Sequence, residues 1–156
     1  SGAGYAEIIL ADGLAVGAYM AVNACGEIYD QDKILAGALA DDDRTIISSH
    51  RLMLEGYERN MGGNTSIGCI ITNADLTKTE CRMVSTMAHD GLARSIRPVH
   101  TSMDGDTLFT MASGEVKTTI DTVGYLAEEA VRLAVLDAAA SAEGMGGRPA
   151  YRDIIK

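Results

Sequence analysis

The pattern of apolar and small residues at the start of the chain predicts two neighbouring β-strands. Residues 6–11 and 14–23 are rich in such side chains, and Asp12-Gly13 lies between them. Asp-Gly is a dipeptide that favours the tight turn of a β-hairpin. Because both faces of the second run are apolar or small, we expect it to be a central strand that is covered on both sides.

The following segment, residues 25–64, is long and polar. It contains one short amphipathic stretch around residues 50–56, so the pattern predicts a surface excursion with one or two helical turns. The regular pattern then returns abruptly, and a third strand is predicted from Thr65 to Asn73.

Two helices and a fourth strand complete the pattern. Thr77 and Glu80 have the spacing of a capping box, which predicts a helix over 78–95. A strand is predicted over 107–112, and an alanine-rich helix suited to close packing over 119–142. This order of elements is typical of an α/β (α+β) fold in which helices pack on a layered mixed sheet.

Composition and charge limit the domain organisation, the binding partners and the cellular location that we expect. The chain has 156 residues, of which 47% are hydrophobic, so residues 1–156 are expected to form one domain or the C-terminal part of one. The formal net charge of -9 argues against nucleic acid and anionic membrane surfaces as partners. Neither a signal peptide nor an apolar run of membrane-spanning length is visible. Three scattered cysteines favour a reducing compartment, and hence a cytoplasmic location.

Several kinds of site are not supported by the residues present. The three histidines lack the spacing of metal ligands, and Gly62-Gly63 precedes a strand rather than a helix, which argues against a phosphate-binding loop. We therefore expect neither a metal nor a cofactor. A nucleophilic Cys-His pair that uses Cys69 or Cys81 stays open, but small buried hydrophobes are the better interpretation of both cysteines.

The strongest chemical signal lies at the join between the long loop and the third strand. In Gly62-Gly63-Asn64-Thr65-Ser66, a flexible pair precedes an asparagine and a hydroxyl residue, which is the arrangement that an N-to-O acyl shift needs. The Thr65 hydroxyl would attack the carbonyl of Asn64, and water would release the ester. The freed α-amine, with a reference pKa of about 7.7–8.0, can act as the base for its own hydroxyl. The same residues are also ordinary loop chemistry.

Four motifs in order strengthen this interpretation, because together they resemble the DmpA-type N-terminal-nucleophile aminopeptidase family. The likeness is greatest to the branch of the nylon-oligomer (6-aminohexanoate oligomer) endohydrolases. The motifs are the runs 64–74, 87–94, 97–100 and 104–109. Members of the family are about twice this length, so the chain looks like their C-terminal half. The absent N-terminal part supplies a catalytic lysine in the nylon-hydrolase branch. The resemblance implies a partial, layered αββα fold.

The resemblance also implies roles for individual residues. Cleavage would fall between Asn64 and Thr65, with Thr65 as the nucleophile at the start of a β-subunit-like segment. Asn23 would donate its side-chain amide to the developing oxyanion. Asp104 and Asp106 match an acidic or hydroxyl pair that holds the nucleophile. Since alternate residues of an extended segment point the same way, we expect both carboxylates to accept hydrogen bonds from the Thr65 hydroxyl and ammonium.

Three functional hypotheses follow. The first is a self-processing amide hydrolase that acts on short peptides with a free amino end or on ω-amino-acid oligomers. The second is a catalytically silent structural half, and the third is a threonine-nucleophile acyltransferase. Because unpaired apolar surface is expected on such a half, we also expect a homo-oligomer together with the missing N-terminal part.

Overall fold

Within residues 2–56 and 63–154, which the computed structural model describes, the chain forms nine strands and four helices. The strands are β1 (Gly2–Ile9), β2 (Ala15–Val22), β3 (Glu27–Asp30), β4 (Lys33–Ala36), β5 (Ala38–Leu39), β6 (Ile46–Ile47), β7 (Ile67–Ala74), β8 (Ile96–Arg97) and β9 (Thr107–Val116). The helices are α1 (Ser49–Leu54), α2 (Lys78–Ser95), α3 (Ile120–Ser141) and α4 (Tyr151–Ile154). None of these helices combines the length and the apolar character that crossing a membrane requires.

The main sheet has the strand order β1-β2-β7-β9. β1, β2 and β7 pair antiparallel, whereas β7 and β9 pair parallel and are connected through α2. The predicted hairpin is confirmed: the N–H of Gly13 donates to the carbonyl of Leu10 at 3.0 Å, and the Asp12 side chain accepts from the N–H of Leu14. The central position predicted for β2 is confirmed as well.

Both long helices begin where the sequence predicts. The Thr77 hydroxyl accepts from the N–H of Glu80 at 3.3 Å, and the Glu80 carboxylate accepts from the N–H of Thr77 at 2.7 Å. This capping box satisfies two of the free N–H groups that every helix start leaves. α3 is capped in a similar way by Thr119.

One face of the main sheet packs against α2 and α3 and forms the core. The buried side chains of the sheet are joined by small and branched residues of the two helices: Val16, Ala18, Met20, Ile70 and Leu108 face Val84, Ala88, Leu92, Val123, Ala127, Val131 and Ala134. The close approach predicted from the alanine content of α3 is seen at Gly4, where an added Cβ would overlap the helix backbone at Ala134 and Ala138.

The opposite face of the main sheet is exposed. Tyr19 in β2 and Phe109 in β9 are 54% and 59% exposed, and further large apolar side chains on the same sheet are half exposed, namely Tyr5, Ile67, Ile71 and Met111. The expectation that β2 is covered on both sides is therefore wrong for this chain. Its small and apolar residues mark a face on which no layer of the described residues packs.

Two further expectations are corrected. Residues 25–56 are not a simple surface excursion, because they contain four short strands besides α1, and β3 pairs with β8. Strands of two to four residues are too short to produce a periodic signal. β9 does not end at residue 112: it continues to Val116 through an irregularity opposite Asn73, as expected for a β-bulge.

Candidate active site

The backbone around Thr65 is held between the ends of two other strands. The N–H of Thr65 donates to the carbonyl oxygen of Asn23, the residue that follows β2, at 3.1 Å. On the other side, Asn64 forms a parallel bridge with Asp104, shortly before β9 begins. The pairing of β2, β7 and β9 thus fixes the peptide bond between Asn64 and Thr65 where three strands meet.

Asn64 itself is fixed on both sides. Its side-chain amide donates to the carbonyl oxygen of Ala24 at 3.0 Å, and its backbone N–H donates to the carbonyl oxygen of Met103 at 3.2 Å. Gly63 is exposed beside it, whereas Gly62 of the same motif lies outside the described residues. The asparagine of the motif is therefore an ordered residue with a defined carbonyl direction.

The carbonyl oxygen of Asn64 receives two hydrogen bonds. The Thr65 hydroxyl donates to it at 2.7 Å, and the backbone N–H of Gly105 donates to it at 2.9 Å. The Thr65 side chain is exposed, so its hydroxyl stands at the surface against the carbonyl group that precedes it. An acyl shift needs this proximity of hydroxyl and carbonyl.

Asn23 contributes its backbone in this chain. Its carbonyl oxygen accepts from the N–H of Thr65, while its side chain is exposed and makes no hydrogen bond within the described residues. The side-chain amide is therefore available to a ligand. Its role as an oxyanion donor stays a prediction.

The two aspartates do not point the same way, and this differs from the expectation. The Asp104 carboxylate accepts from the backbone N–H and the hydroxyl of Thr101, at 2.9 and 2.8 Å. Asp106 faces other partners, and the Thr65 hydroxyl is directed to Asn64 instead. The alternation rule fails here because Asp104 closes a turn and regular strand geometry begins only at Thr107.

Asp106 connects the segment that contains Thr65 and Ser66 to a histidine. One carboxylate oxygen accepts from the backbone N–H of Ser66 at 2.9 Å, and the other lies 3.3 Å from Nδ1 of His100. The Asp106 side chain is only 4% exposed, whereas the His100 side chain is 40% exposed. The hydrogen bond of Asp106 in this segment is therefore to Ser66, the residue after Thr65.

A second imidazole completes this cluster. The ring of His89, from α2, lies 4.9 Å from the ring of His100 between centroids. Burial lowers the pKa of His89, and the neighbouring His100 lowers it further, against smaller opposing effects of Asp106 and Asp90. The neutral form of His89 is thus favoured more strongly than that of a free histidine.

Neither of two concave surfaces in the described part of the chain is lined by Thr65. An open groove between α2 and the start of β9 is lined by Arg82, Ser85, Thr86, His89, His100, Asp106, Thr107 and Leu108. A more enclosed cavity lies at the far end of α3 and contains none of the candidate site residues. Within the described ranges, no group of three or more His, Cys, Asp or Glu side chains is arranged to hold a metal ion.

The family of the chain follows from a comparison with protein-family models. The model of peptidase family S58 matches residues 1–152. The chain belongs to this family. An uncharacterized aminopeptidase of Mycobacterium leprae (strain TN) is 34% identical over 171 residues, which is 96% of this chain and 47% of that protein. Nearly all of the S58 chain is matched in such relatives, but it spans only about half of their length.

Two further likenesses concern a partial stretch of the chain and the fold. A 6-aminohexanoate-oligomer endohydrolase of Kocuria sp. (strain KY2) is 41% identical over 54 residues, covering 35% of the S58 chain and 15% of that protein. The solved structure of an L-aminopeptidase D-Ala-esterase/amidase from Ochrobactrum anthropi, described as a variant of the Ntn hydrolase fold, has a TM-score of 0.62. At 18% identity it covers 95% of this chain and 42% of that chain, and it establishes a partial fold of this kind.

Three residues of the S58 chain were not singled out from the sequence. The N–H of Gly105 reaches the carbonyl oxygen of Asn64. His100 contacts Asp106 across several residues of a connector that has no periodic pattern. Ser66 is fully buried, and its hydroxyl has no hydrogen-bond partner in the described part of the chain. Its burial favours Thr65 over Ser66 as the accessible hydroxyl.

Proposed function

We propose that the protein is an amide hydrolase that cuts its own chain between Asn64 and Thr65 and then uses Thr65 as its nucleophile. The S58 relatives support the class of reaction, and the sequence motif supports the position of the cut. Short peptides with a free amino end and oligomers of ω-amino acids are the proposed substrates. No cofactor takes part in the proposed chemistry.

The observation that carries this proposal is the position of the Thr65 hydroxyl. It lies 2.7 Å from the carbonyl oxygen of Asn64, in a segment whose backbone is bonded to both neighbouring strand ends. The hydroxyl is thus next to the carbonyl group whose carbon it would attack. Ser66 next to it is buried and lacks such a carbonyl contact.

The self-cleavage proceeds through an ester. The Thr65 hydroxyl oxygen bonds to the carbonyl carbon of Asn64, the bond between that carbon and the Thr65 nitrogen breaks, and the hydroxyl proton ends on the nitrogen. One water molecule then hydrolyses the ester. The products are a carboxyl group on Asn64 and a Thr65 with a free hydroxyl and a free amine.

The mature site repeats this chemistry on a substrate. The Thr65 amine has a reference pKa of about 7.7–8.0, so near neutral pH a part of it is available as the base for the hydroxyl. The Asn23 amide donates to the oxyanion of the tetrahedral intermediate. The acyl group passes to Thr65, the amine product leaves, and water releases the acid.

Mass spectrometry of the full-length protein tests the proposal. We expect two fragments that divide before Thr65, together with hydrolysis of a dipeptide amide or of a 6-aminohexanoate oligomer. Thr65→Ala should abolish both the split and the hydrolysis. Ser66→Ala is the matched control: it removes the neighbouring buried hydroxyl, retains the N–H bonded to Asp106, and should leave both in place. An uncut Thr65→Ala protein that hydrolyses these amides would contradict the proposal.

A further inference from the structure

The self-cleavage needs a group that stabilises negative charge on the carbonyl oxygen of Asn64. That oxygen has two hydrogen-bond donors within the described residues, the Thr65 hydroxyl and the backbone N–H of Gly105. The hydroxyl stops donating when it gives up its proton and attacks the carbon. The N–H of Gly105, at 2.9 Å, then remains on the oxygen as the charge develops.

The absence of a side chain at position 105 serves the same step. A Cβ added to Gly105 would lie 2.7 Å from the hydroxyl oxygen of Thr65, closer than real Cβ atoms come to other heavy atoms. Any other residue at this position would therefore displace the hydroxyl, the backbone of residue 105, or both. The same residue thus holds the carbonyl oxygen and leaves room for the nucleophile.

The peptide group of Gly105 is fixed from both sides. Asp104 before it is bonded to Thr101, and Asp106 after it is bonded to the N–H of Ser66. A donor whose direction is set before the reaction stabilises an oxyanion without reorganising when the charge appears.

We propose that Gly105 is a catalytic residue of the self-cleavage, with its backbone N–H as the oxyanion donor for the Asn64 carbonyl. This inference rests on the proposed function, and it adds a group that acts on the chain's own peptide bond rather than on a later substrate. As the Thr65 oxygen bonds to the Asn64 carbon, the carbonyl electron pair moves to the oxygen that faces Gly105. When the bond to the Thr65 nitrogen breaks, that pair re-forms the carbonyl of the ester.

The sharpest test replaces the N–H of residue 105 with an ester oxygen. Glycolic acid, introduced at position 105 of the full-length protein during cell-free translation, removes the donor and adds no side chain. We expect the appearance of the fragment that begins at Thr65 to slow by about 10²- to 10³-fold, the effect of losing one oxyanion donor. Fragment masses distinguish this cut from hydrolysis of the introduced ester.

The matched control is the same change at position 107. The α-hydroxy analogue of threonine there removes the N–H that Thr107 donates to Ser66, a hydrogen bond of similar length that does not reach the Asn64 carbonyl. Cleavage should continue near the normal rate. Equal slowing by both esters would assign the effect to strand pairing and overturn the role of Gly105, as would a normal rate with the ester at position 105.

A further variant tests the space at position 105. Gly105→Ala should block cleavage, because the added Cβ would lie 2.7 Å from the present position of the Thr65 hydroxyl oxygen. Circular dichroism shows whether this variant folds, and the ester decides the question if it does not. Cleavage that persists in Thr65→Ala would contradict the proposed function. Cleavage that needs Thr65 but ignores the ester at position 105 would contradict only the inference about Gly105.

Discussion

The two ends of β7 carry the same kinds of side chain and use them differently. At the carboxyl end, the Asn73 amide group accepts from the N–H of Ala15 and donates to the carbonyl of Gly13, both at 2.9 Å. The Thr72 hydroxyl donates to the carbonyl of Ala15 and accepts from the N–H of Ala74. Each of these polar groups is satisfied by the β1–β2 hairpin, and the hydroxyl is buried.

At the amino end, the asparagine side chain again forms a hydrogen bond to a neighbouring segment, but the threonine hydroxyl does not. The Asn64 amide donates to the carbonyl of Ala24, again a contact with the chain beside β2. The exposed Thr65 hydroxyl, however, is directed to the carbonyl of the residue before it, and Gly105 approaches that carbonyl from the β9 side. Both ends therefore have an asparagine next to a threonine in the sequence. The direction of the hydroxyl and the extra N–H distinguish the end at which we propose self-cleavage.

The largest effect is expected from a change at Asp106, at the amino end. Asp106→Ala removes the acceptor of the Ser66 N–H and the partner of His100, and leaves the N–H buried. We expect the free energy of unfolding to fall by about 1.5–3 kcal/mol and self-cleavage to slow. Urea unfolding on a Thr65→Val background, which keeps every sample uncut, measures the first effect, and mass spectrometry measures the second. Unchanged cleavage would mean that Asp106 does not position the nucleophile.

Asn73→Ala makes the corresponding change at the other end. It removes two hydrogen bonds to the hairpin, so the free energy of unfolding should fall by about 1–2 kcal/mol. Because the contacts of Thr65 are untouched, the rate of cleavage should stay within about twofold of the normal rate in a folded sample. A large loss of cleavage without unfolding would show that the two ends are coupled, which contradicts the separation drawn here.

The smallest expected effect concerns pH at the amino end. Burial and His100 lower the pKa of His89 in the folded protein, so the unfolded chain binds a proton more readily. The associated stability is fully present above the ordinary histidine pKa of about 6.5 and is lost as the pH falls from there towards the lowered value. Urea unfolding should therefore show a smaller loss between about pH 7.5 and about pH 5.5 in His89→Gln than in the parent protein. An equal loss of the free energy of unfolding in both proteins would show that His89 does not cause this pH dependence.

Much of the fold could be predicted because local signals coincide with tertiary structure. The Asp12-Gly13 turn and the Thr77 capping box act within a few residues, and both are found where the sequence indicates. The short strands between residues 25 and 56 depend on distant partners such as β8, and therefore leave no local pattern. The exposed face of β2 could not be predicted either, since small residues fit a covered and an uncovered face alike.

The structure brings several of the predicted site residues together, but not in the predicted geometry. The sequence brought Asn64, Thr65 and Asp106 together, and the structure places them on adjoining strand ends. It could not give the direction of Asp104, because a turn rather than a strand sets that side chain. It also could not reveal the role of the Gly105 N–H. Almost every residue has a backbone N–H, so the residue type does not show which of these groups points to a given carbonyl oxygen.

Trapping the acylated protein tests the central claim most directly. The full-length protein is mixed with an activated ester of 6-aminohexanoic acid, quenched in acid and analysed by tandem mass spectrometry. We predict that the acyl group is found on the hydroxyl of Thr65, in a fragment whose first residue is Thr65 with a free amine. Hydrolysis of amides by a preparation in which the bond between Asn64 and Thr65 is intact would contradict the account.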